Sequence, residues 1–195
     1  MKYAPLSLDE GRILVKIARM AIEEHLRGSE TLRLPDDLPD IFRKKRGVFV
    51  TLEKNGNLRG CIGYPEPTKP LIDALVEAAI SAATCDPRFP PVKPEELEDI
   101  EIEVSVLTPP EPIEVENPAD YPHLIRVGVD GLIVERGWTR GLLLPQVATE
   151  WGWDAEEFLC NTCMKAGLPP DCFYDPETRV YRFQAQIFHE DDSSC

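Results

Sequence analysis

Histidine and positive charge are scarce in this chain, and both shortages limit its chemistry. There are three histidines, and 21 Lys and Arg residues stand against 35 Asp and Glu residues, a formal net charge of −14. Proteins bind nucleic acids and anionic membrane surfaces through Lys and Arg side chains. We therefore expect neither a nucleic acid nor a membrane surface as a partner.

Long apolar runs are also missing. A membrane-spanning helix needs roughly 18 or more apolar residues, and the most apolar helical stretch, residues 71–83, is interrupted by Asp73 and Glu77. The first residues lack the apolar segment of a signal peptide. These features predict a cytoplasmic protein, and the 43% apolar and 29% charged residues are typical of a globular one.

The usual motifs for phosphate, nucleophile or metal chemistry are absent too. We find no phosphate-binding Gly-rich loop, no G-x-S-x-G nucleophile motif and no kinase motif. His25, His123 and His189 are scattered and form no paired zinc motif. We predict no bound metal and no cofactor.

The six cysteines leave the redox state open. Without an export signal, free thiols are the default expectation, although the 19 prolines and the charged composition also suit a thermophile, where intracellular disulfides occur. Cys160 and Cys163 have the C-x-x-C spacing of a redox pair or of half a zinc site, which Cys172 and His189 could complete. Because the pair lies inside a predicted helix, two core thiols are the favoured interpretation.

Hydrophobic periodicity predicts several helices. Ser7 and Glu10 fit a capping box at the start of a helix over about 8–27, which Gly28 ends. Further helices are predicted after a Thr68 cap to about residue 83, from Pro145 to near Trp151, and from Asp154 to Gly167.

Alternating patterns predict strands joined by hairpins. Asn55-Gly56 is a strong hairpin signal, and Gly137 marks a second hairpin. The predicted strands are 48–53, 58–64, 100–106, 131–135, 141–144 and one long strand at 179–189. We therefore expect an α+β fold: a mainly antiparallel sheet with packed helices, in one domain over 1–195 with a large and a smaller lobe whose boundary the linkers do not place.

Residues 58–63, LRGCIG, are unusual for a strand because glycine packs nothing there. Gly60 and Gly63 flank Cys61, which indicates a bulge or a place where a ligand or another backbone comes close. Strand alternation puts Arg59 and Cys61 on one face, where the guanidinium would favour the thiolate. The alternative is a small buried thiol on a crowded strand.

These residues resemble the signature hexapeptide of the AMMECR-one family. Further segments resemble the same family from about residue 47 to 189: DPRF at 86–89, EVSVL at 103–107, GLLLPQV at 141–147, FL at 158–159 and CMKAGLP at 163–169. The resemblance implies an α+β protein of two unequal lobes. It also implies that a Memo-like protein and a radical S-adenosylmethionine protein accompany it in prokaryotes.

The resemblance also implies which residues matter. The family's motif positions fall on Arg59, Gly60, Cys61, Gly63, Arg88, Gln146 and Cys163. Cys160, the other half of the C-x-x-C pair, is then incidental, which weakens the redox interpretation.

Two hypotheses for function follow. In the first, the chain is an enzyme or enzyme subunit with Cys61 as nucleophile or covalent anchor, Arg59 and Arg88 holding an anionic group, and Gln146 orienting it. Gly60 and Gly63 border this small-molecule site, and either His123 or Glu103 is the candidate base. In the second, the same surface is a non-catalytic adaptor for a protein partner.

Exposure of Cys61 separates these hypotheses. An enzyme needs Cys61 exposed and thiolate-like, whereas an adaptor can bury it. If Cys61 is reactive, Arg59 should lower its pKa, so that Cys61 is alkylated faster near pH 7 than Cys85 or Cys172.

Overall fold

The computed structural model describes residues 4–29 and 32–190. Its helices are α1 (Leu8–Leu26), α2 (Leu71–Thr84), α3 (Tyr121–Leu124), α4 (Pro145–Trp151) and α5 (Ala155–Lys165). Its strands are β1 (Val48–Lys54), β2 (Asn57–Tyr64), β3 (Ile100–Leu107), β4 (Glu111–Pro112), β5 (Gly131–Arg136), β6 (Thr139–Leu143), β7 (Arg179–Phe183) and β8 (Ala185–His189). The strands form two antiparallel four-stranded sheets, which confirms the α+β fold.

The chain divides into two compact units. The first is built from the described parts of Met1–Leu107 and Gln186–Cys195, and the second is Thr108–Ala185. The first unit contains the sheet β2-β1-β3-β8, and the second contains the sheet β4-β7-β5-β6.

Helix α1 begins where the sequence predicts. The Ser7 hydroxyl accepts from Glu10 N–H at 3.2 Å, and the Glu10 carboxylate accepts from Ser7 N–H at 2.7 Å, so both orphan donors are satisfied. Gly28 follows the helix with a φ of +79°. One apolar stripe is buried in the core of the first unit: Leu14, Val15, Ile17, Ala18, Ala21 and Ile22.

Helix α2 starts differently from the prediction. The residue before it is Pro70, and no side chain caps it, so the Thr68 cap is wrong. Instead, Leu71 N–H donates to the Lys44 carbonyl at 2.9 Å. Because this bond satisfies the first helical donor, the helix needs no hydroxyl at that end.

The β1–β2 hairpin turns at Asn55 and Gly56, with φ angles of 53° and 72°, as the sequence predicts. The ladder starts with Lys54 opposite Asn57 and shifts register between Leu52 and Glu53. That shift is a β-bulge with Arg59 as the extra residue, and it interrupts the simple alternation of side chains.

The predicted single strand at 179–189 is wrong. Strand β7 lies in the second sheet and β8 lies in the first, with Gln184 between them. Gln184 N–H donates to the Thr108 hydroxyl, and its carbonyl accepts from Thr108 N–H, both at 2.8 Å. Because Thr108 satisfies both main-chain groups, no strand of the second sheet bonds to them, and the strand breaks at this residue.

A disulfide joins Cys163 at the end of α5 to Cys172 in a following 3-10 turn, with Cα atoms 6.1 Å apart. This overturns the expectation of free thiols for these two residues, while Cys61, Cys85 and Cys160 are free. The second unit thus combines its own apolar core, which includes both disulfide sulfurs, with a covalent crosslink. Within the described ranges, none of the helices combines the length and apolarity needed to span a bilayer.

Candidate functional site

Two glycines of β2 let neighbouring groups come close. A Cβ atom at Gly60 would collide with the carbonyl oxygen of Ala82 in α2, and one at Gly63 would collide with the Phe49 ring on β1. Glycine is therefore required at both positions for packing. This explains two residues of the 58–63 segment without any ligand.

The segment after α2 covers the open edge of β2 at Cys61. The Asp86 carboxylate accepts from Cys61 N–H at 2.9 Å, and Nη2 of Arg88 reaches the Cys61 carbonyl at 3.5 Å. Asp86 also accepts from Arg88 Nε at 3.0 Å and from Nη2 at 2.7 Å. An edge strand with satisfied main-chain groups is no longer a template for another strand, so this pair closes the sheet edge at Cys61.

Arg59 is held away from the thiol by an ion pair. Its Nη2 and Nε donate to the Glu96 carboxylate at 3.0 and 3.2 Å, and its Nη1 donates to the Pro90 carbonyl at 2.9 Å. The Arg59 hydrogen bond lowers the pKa of Glu96 to about 2. All three guanidinium nitrogens are therefore engaged, two by Glu96 of the Pro94–Asp99 turn and one by the Pro90 carbonyl. The predicted lowering of the Cys61 pKa by Arg59 is wrong: the pKa is raised, and the guanidinium that opposes the rise is that of Arg88.

Cys61 itself is half-buried and carries one hydroxyl neighbour. The Thr51 hydroxyl donates to Cys61 Sγ at 3.4 Å. Burial raises the pKa of the Cys61 thiol, and the carboxylates of Glu103 and Asp86 raise it further. The Thr51 hydrogen bond and the charge of Arg88 act in the other direction but do not cancel the rise. At neutral pH the resting group is a thiol.

A polar row crosses the sheet from Cys61. Thr51 on β1 pairs with Cys61 on β2 and with Glu103 on β3. These three side chains lie on the face of the sheet that is turned away from α1 and α2. Glu103 accepts from the Ser105 hydroxyl at 3.2 Å and lies 3.8 Å from Nδ1 of His189 on β8. Cys61, Thr51, Glu103 and His189 thus place a thiol, a hydroxyl, a carboxylate and an imidazole across four adjacent strands.

The sequence model of the AMMECR1 family matches residues 15–188, nearly the whole described chain. This chain belongs to the AMMECR1 family. The match covers both units, so the resemblance inferred from the 58–63 segment is confirmed.

Archaeal proteins of the AMMECR1 type are closely similar to this chain. A protein of Methanothermobacter thermautotrophicus is 91% identical over 98% of this chain and all of its own length. Protein TK0174 of Thermococcus kodakarensis is 55% identical over 93% of this chain and 90% of its own. The crystal structure of uncharacterized protein PH0010 from Pyrococcus horikoshii shares the fold with a TM-score of 0.89 at 55% identity, covering 93% of this chain and 91% of that one.

The positions that the resemblance singles out fall in both units. Arg59, Gly60, Cys61, Gly63 and Arg88 belong to the first unit. Gln146 lies on α4 of the second unit, and Cys163 of the same unit is in the disulfide. The candidate base His123 also belongs to the second unit, where it lies on α3 and not in a loop. The polar row is built entirely from first-unit residues. Among the residues that the structure describes, no group of three His, Cys, Asp or Glu side chains is arranged to hold a metal ion.

Sequence reasoning did not assign Asp86, Thr51 or His189 to the site. Asp86 precedes a proline in a rigid loop, and Asp is a residue type that accepts main-chain N–H bonds, so this role could have been inferred. Thr51 could not, because a two-residue turn without a bulge would place Gly60 opposite Thr51. The bulge at Arg59 moves Cys61 into that position.

Proposed function

We infer that this chain is an enzyme or enzyme subunit whose small-molecule site is the polar face around Cys61, with the thiol as nucleophile or covalent anchor. The hydrogen bond from Thr51 to Cys61 carries this proposal. The glycines, Arg59 and Asp86 all have a packing or edge-closing role. Neither the sheet nor its edge requires a thiol, a hydroxyl and a carboxylate in one row.

Deprotonation of Cys61 requires a base, and Glu103 fits this role better than Asp86. Hydrogen bonds from Arg88 and from two main-chain N–H groups hold the pKa of Asp86 well below its usual range. Asp86 is therefore a poor proton acceptor. Glu103 lies in the polar row, 3.8 Å from His189, and we assign it as the acceptor of the thiol proton. Sulfur then adds to an electrophilic double-bond carbon, and the π electrons move to the far atom, which takes up the proton.

Arg88 favours an anionic substrate. Its side chain is 53% exposed although Asp86 binds Nε and Nη2, and Nη1 makes no hydrogen bond with the described residues. The charge of Arg88 acts on the Cys61 thiol and would equally attract an anionic group next to it. The substrate class is a small electrophile bearing a negative charge.

Residue-resolved alkylation tests the proposal. Iodoacetamide should modify native Cys61, with a rate that rises as pH approaches the raised pKa. Thr51→Val should slow this reaction because it removes a bond that lowers the pKa. Alkylation proceeds from thiolate formed in equilibrium with solvent and does not use the base. Glu103→Gln should therefore speed it, because this change removes a charge that raises the pKa. Anionic iodoacetate should be favoured over iodoacetamide more strongly at Cys61 than at exposed Cys85.

Two results would contradict the proposal. If native Cys61 reacts only after denaturant is added, the thiol is a packing group. If the preference for iodoacetate at Cys61 equals that at Cys85, Arg88 does not recruit anions. Unfolding melts of each variant, compared with the Cys85→Ser control, show whether a changed rate reflects lost structure.

One observation favours the adaptor as a second candidate. The thiol is half-buried and its pKa is raised, which suits a surface that presents a fixed shape to a protein partner. Such a partner should still bind when Cys61 is changed to Ser. An enzyme would lose its activity with that change.

A further inference from the structure

A groove of about 630 Å³ lies in the second unit, where β4 ends beside β7. On one side it is lined by Pro112, Ile113, Glu114 and Val115, on the other by Thr178, Arg179, Val180 and Tyr181, and Tyr121 borders it as well. All of these residues belong to Thr108–Ala185, so this groove shares no residue with the Cys61 site.

The groove exists because an antiparallel ladder stops early. Glu111 and Pro112 pair with Arg182 and Tyr181, and Ile113 N–H then donates to the Val180 carbonyl at 2.8 Å. Paired residues at such a position normally exchange two hydrogen bonds. Here β4 has already ended, and within the described chain Val180 N–H makes no return bond to Ile113. That N–H therefore points to the edge at which the groove opens.

A second polar group at the same edge lacks a partner. Thr178 is 7% exposed, and its hydroxyl oxygen is buried and makes no hydrogen bond with the described residues. Buried hydroxyls in proteins nearly always have a partner. The Thr178 side chain can rotate about its Cα–Cβ bond between staggered rotamers. The hydroxyl can therefore turn to donate to an acceptor bound in the groove.

The charges at the rim differ in sign. Arg179 is exposed and forms no ion pair within the described ranges, and Glu114 is exposed on the opposite side. The groups that border the groove at residues 178–180 are thus a hydroxyl, a guanidinium and a main-chain N–H, and all three can donate. Ile113, Val115 and the Tyr121 ring supply an apolar lining.

We propose that this groove binds a carboxylate attached to a small apolar body. The carboxylate accepts from Val180 N–H, the Thr178 hydroxyl and Arg179, and the apolar body lies against Tyr121 and Ile113. Burial raises the pKa of Tyr121, so its ring stays neutral beside the bound anion. A free carboxylic acid and the C-terminus of a peptide both have this chemistry.

Amide chemical shifts of the whole chain, measured by nuclear magnetic resonance, test the proposal. Hexanoate is the probe and hexanamide is the uncharged control. Hexanoate at up to about 10 mM, a range that reaches weak small-ligand sites, should shift the amide signals of Val180 and Arg179. Hexanamide should bind about tenfold more weakly because it lacks the charge. A tripeptide and its C-terminal amide form a second pair, and tighter binding of the tripeptide than of hexanoate identifies a peptide as the source.

Four variants make the test specific. Arg179→Gln should weaken hexanoate binding about tenfold, Glu114→Gln should strengthen it, and Arg140→Gln on β6 should leave it unchanged. Thr178→Val should weaken hexanoate binding, because it removes the hydroxyl that donates to the carboxylate. It should not lower the melting temperature, because that hydroxyl has no partner in the free protein. The proposal is overturned if acid and amide bind equally, if neither shifts Val180, or if Thr178→Val lowers the melting temperature.

Discussion

Both units pack helices closely against a four-stranded sheet, but they stabilise that packing in different ways. In each, a strand glycine admits the backbone of a helix: Gly60 accommodates the Ala82 carbonyl in the first unit, and Gly141 accommodates Ala166 at the end of α5 in the second. The first unit covers its sheet with helices of 19 and 14 residues, whereas the longest helix of the second has 11. The smaller unit has the disulfide. Small cores stabilise a fold less, and a crosslink compensates by restricting the unfolded chain.

Removing the crosslink should have the largest effect and should act on one unit. Replacing Cys163 and Cys172 together by Ser should destabilise the second unit by about 3 kcal/mol, from the loss of loop-closure entropy. Hydrogen exchange resolved by residue should show faster opening in Thr108–Ala185 and unchanged protection in β1 and β3.

Cys85→Ser is the matched control, since Cys85 is exposed and free. Equal loss of protection in both units would mean that they unfold together, and the comparison between them would fail.

Replacing Gly60 or Gly141 by alanine should destabilise one unit and leave the other unchanged. Gly60→Ala should destabilise the first unit by about 2 kcal/mol, because the new methyl group meets main-chain atoms that cannot move aside cheaply. Gly141→Ala should do the same to the second unit.

Each glycine variant serves as the control for the other. Local hydrogen exchange measures both, and an unchanged first unit in Gly60→Ala would show that α2 can shift to admit a side chain.

The ion pair of Arg59 with Glu96 should have the smallest effect, about 1 kcal/mol in Glu96→Gln. The folded-state pKa of Glu96 is lowered from 4.5 to about 2. The pair therefore stabilises the first unit fully above pH 4.5, and this contribution is lost as pH falls toward 2. Urea unfolding of wild type and Glu96→Gln should differ at pH 6 and converge near pH 2. Glu95→Gln, one residue away and exposed, should match wild type throughout.

Local patterns predict most of the secondary structure because their causes are local. The Ser7–Glu10 capping box, the Asn55-Gly56 turn and the hairpin around Gly137 depend only on neighbouring residues. The strand at 179–189 is misjudged because its alternation continues through Gln184. The break there depends on Thr108, which is 76 residues away.

The site follows the same division. Cys61 could be singled out from the glycines around it, but its neighbours depend on register and on distant partners. Arg59 bonds to Glu96, 37 residues away, and this long-range pairing decides that Arg59 does not face the thiol. The Cys163–Cys172 pairing likewise requires knowing that the α5 terminus and the following turn approach each other, since spacing alone allows several connectivities.

The position of β8 has a consequence for synthesis on the ribosome. Strand β8 completes the first sheet, yet the ribosome makes it only after residues 108–184. Until then, the edge of β3 that β8 covers has unpaired main-chain groups, which attract other strands. Arg19 on α1 then fastens the late segment through Glu190, which also accepts from Ile102 N–H on β3 at 3.2 Å. A nascent chain halted before β8 would therefore be an aggregation-prone species, in which the inserted unit can fold before the unit that surrounds it.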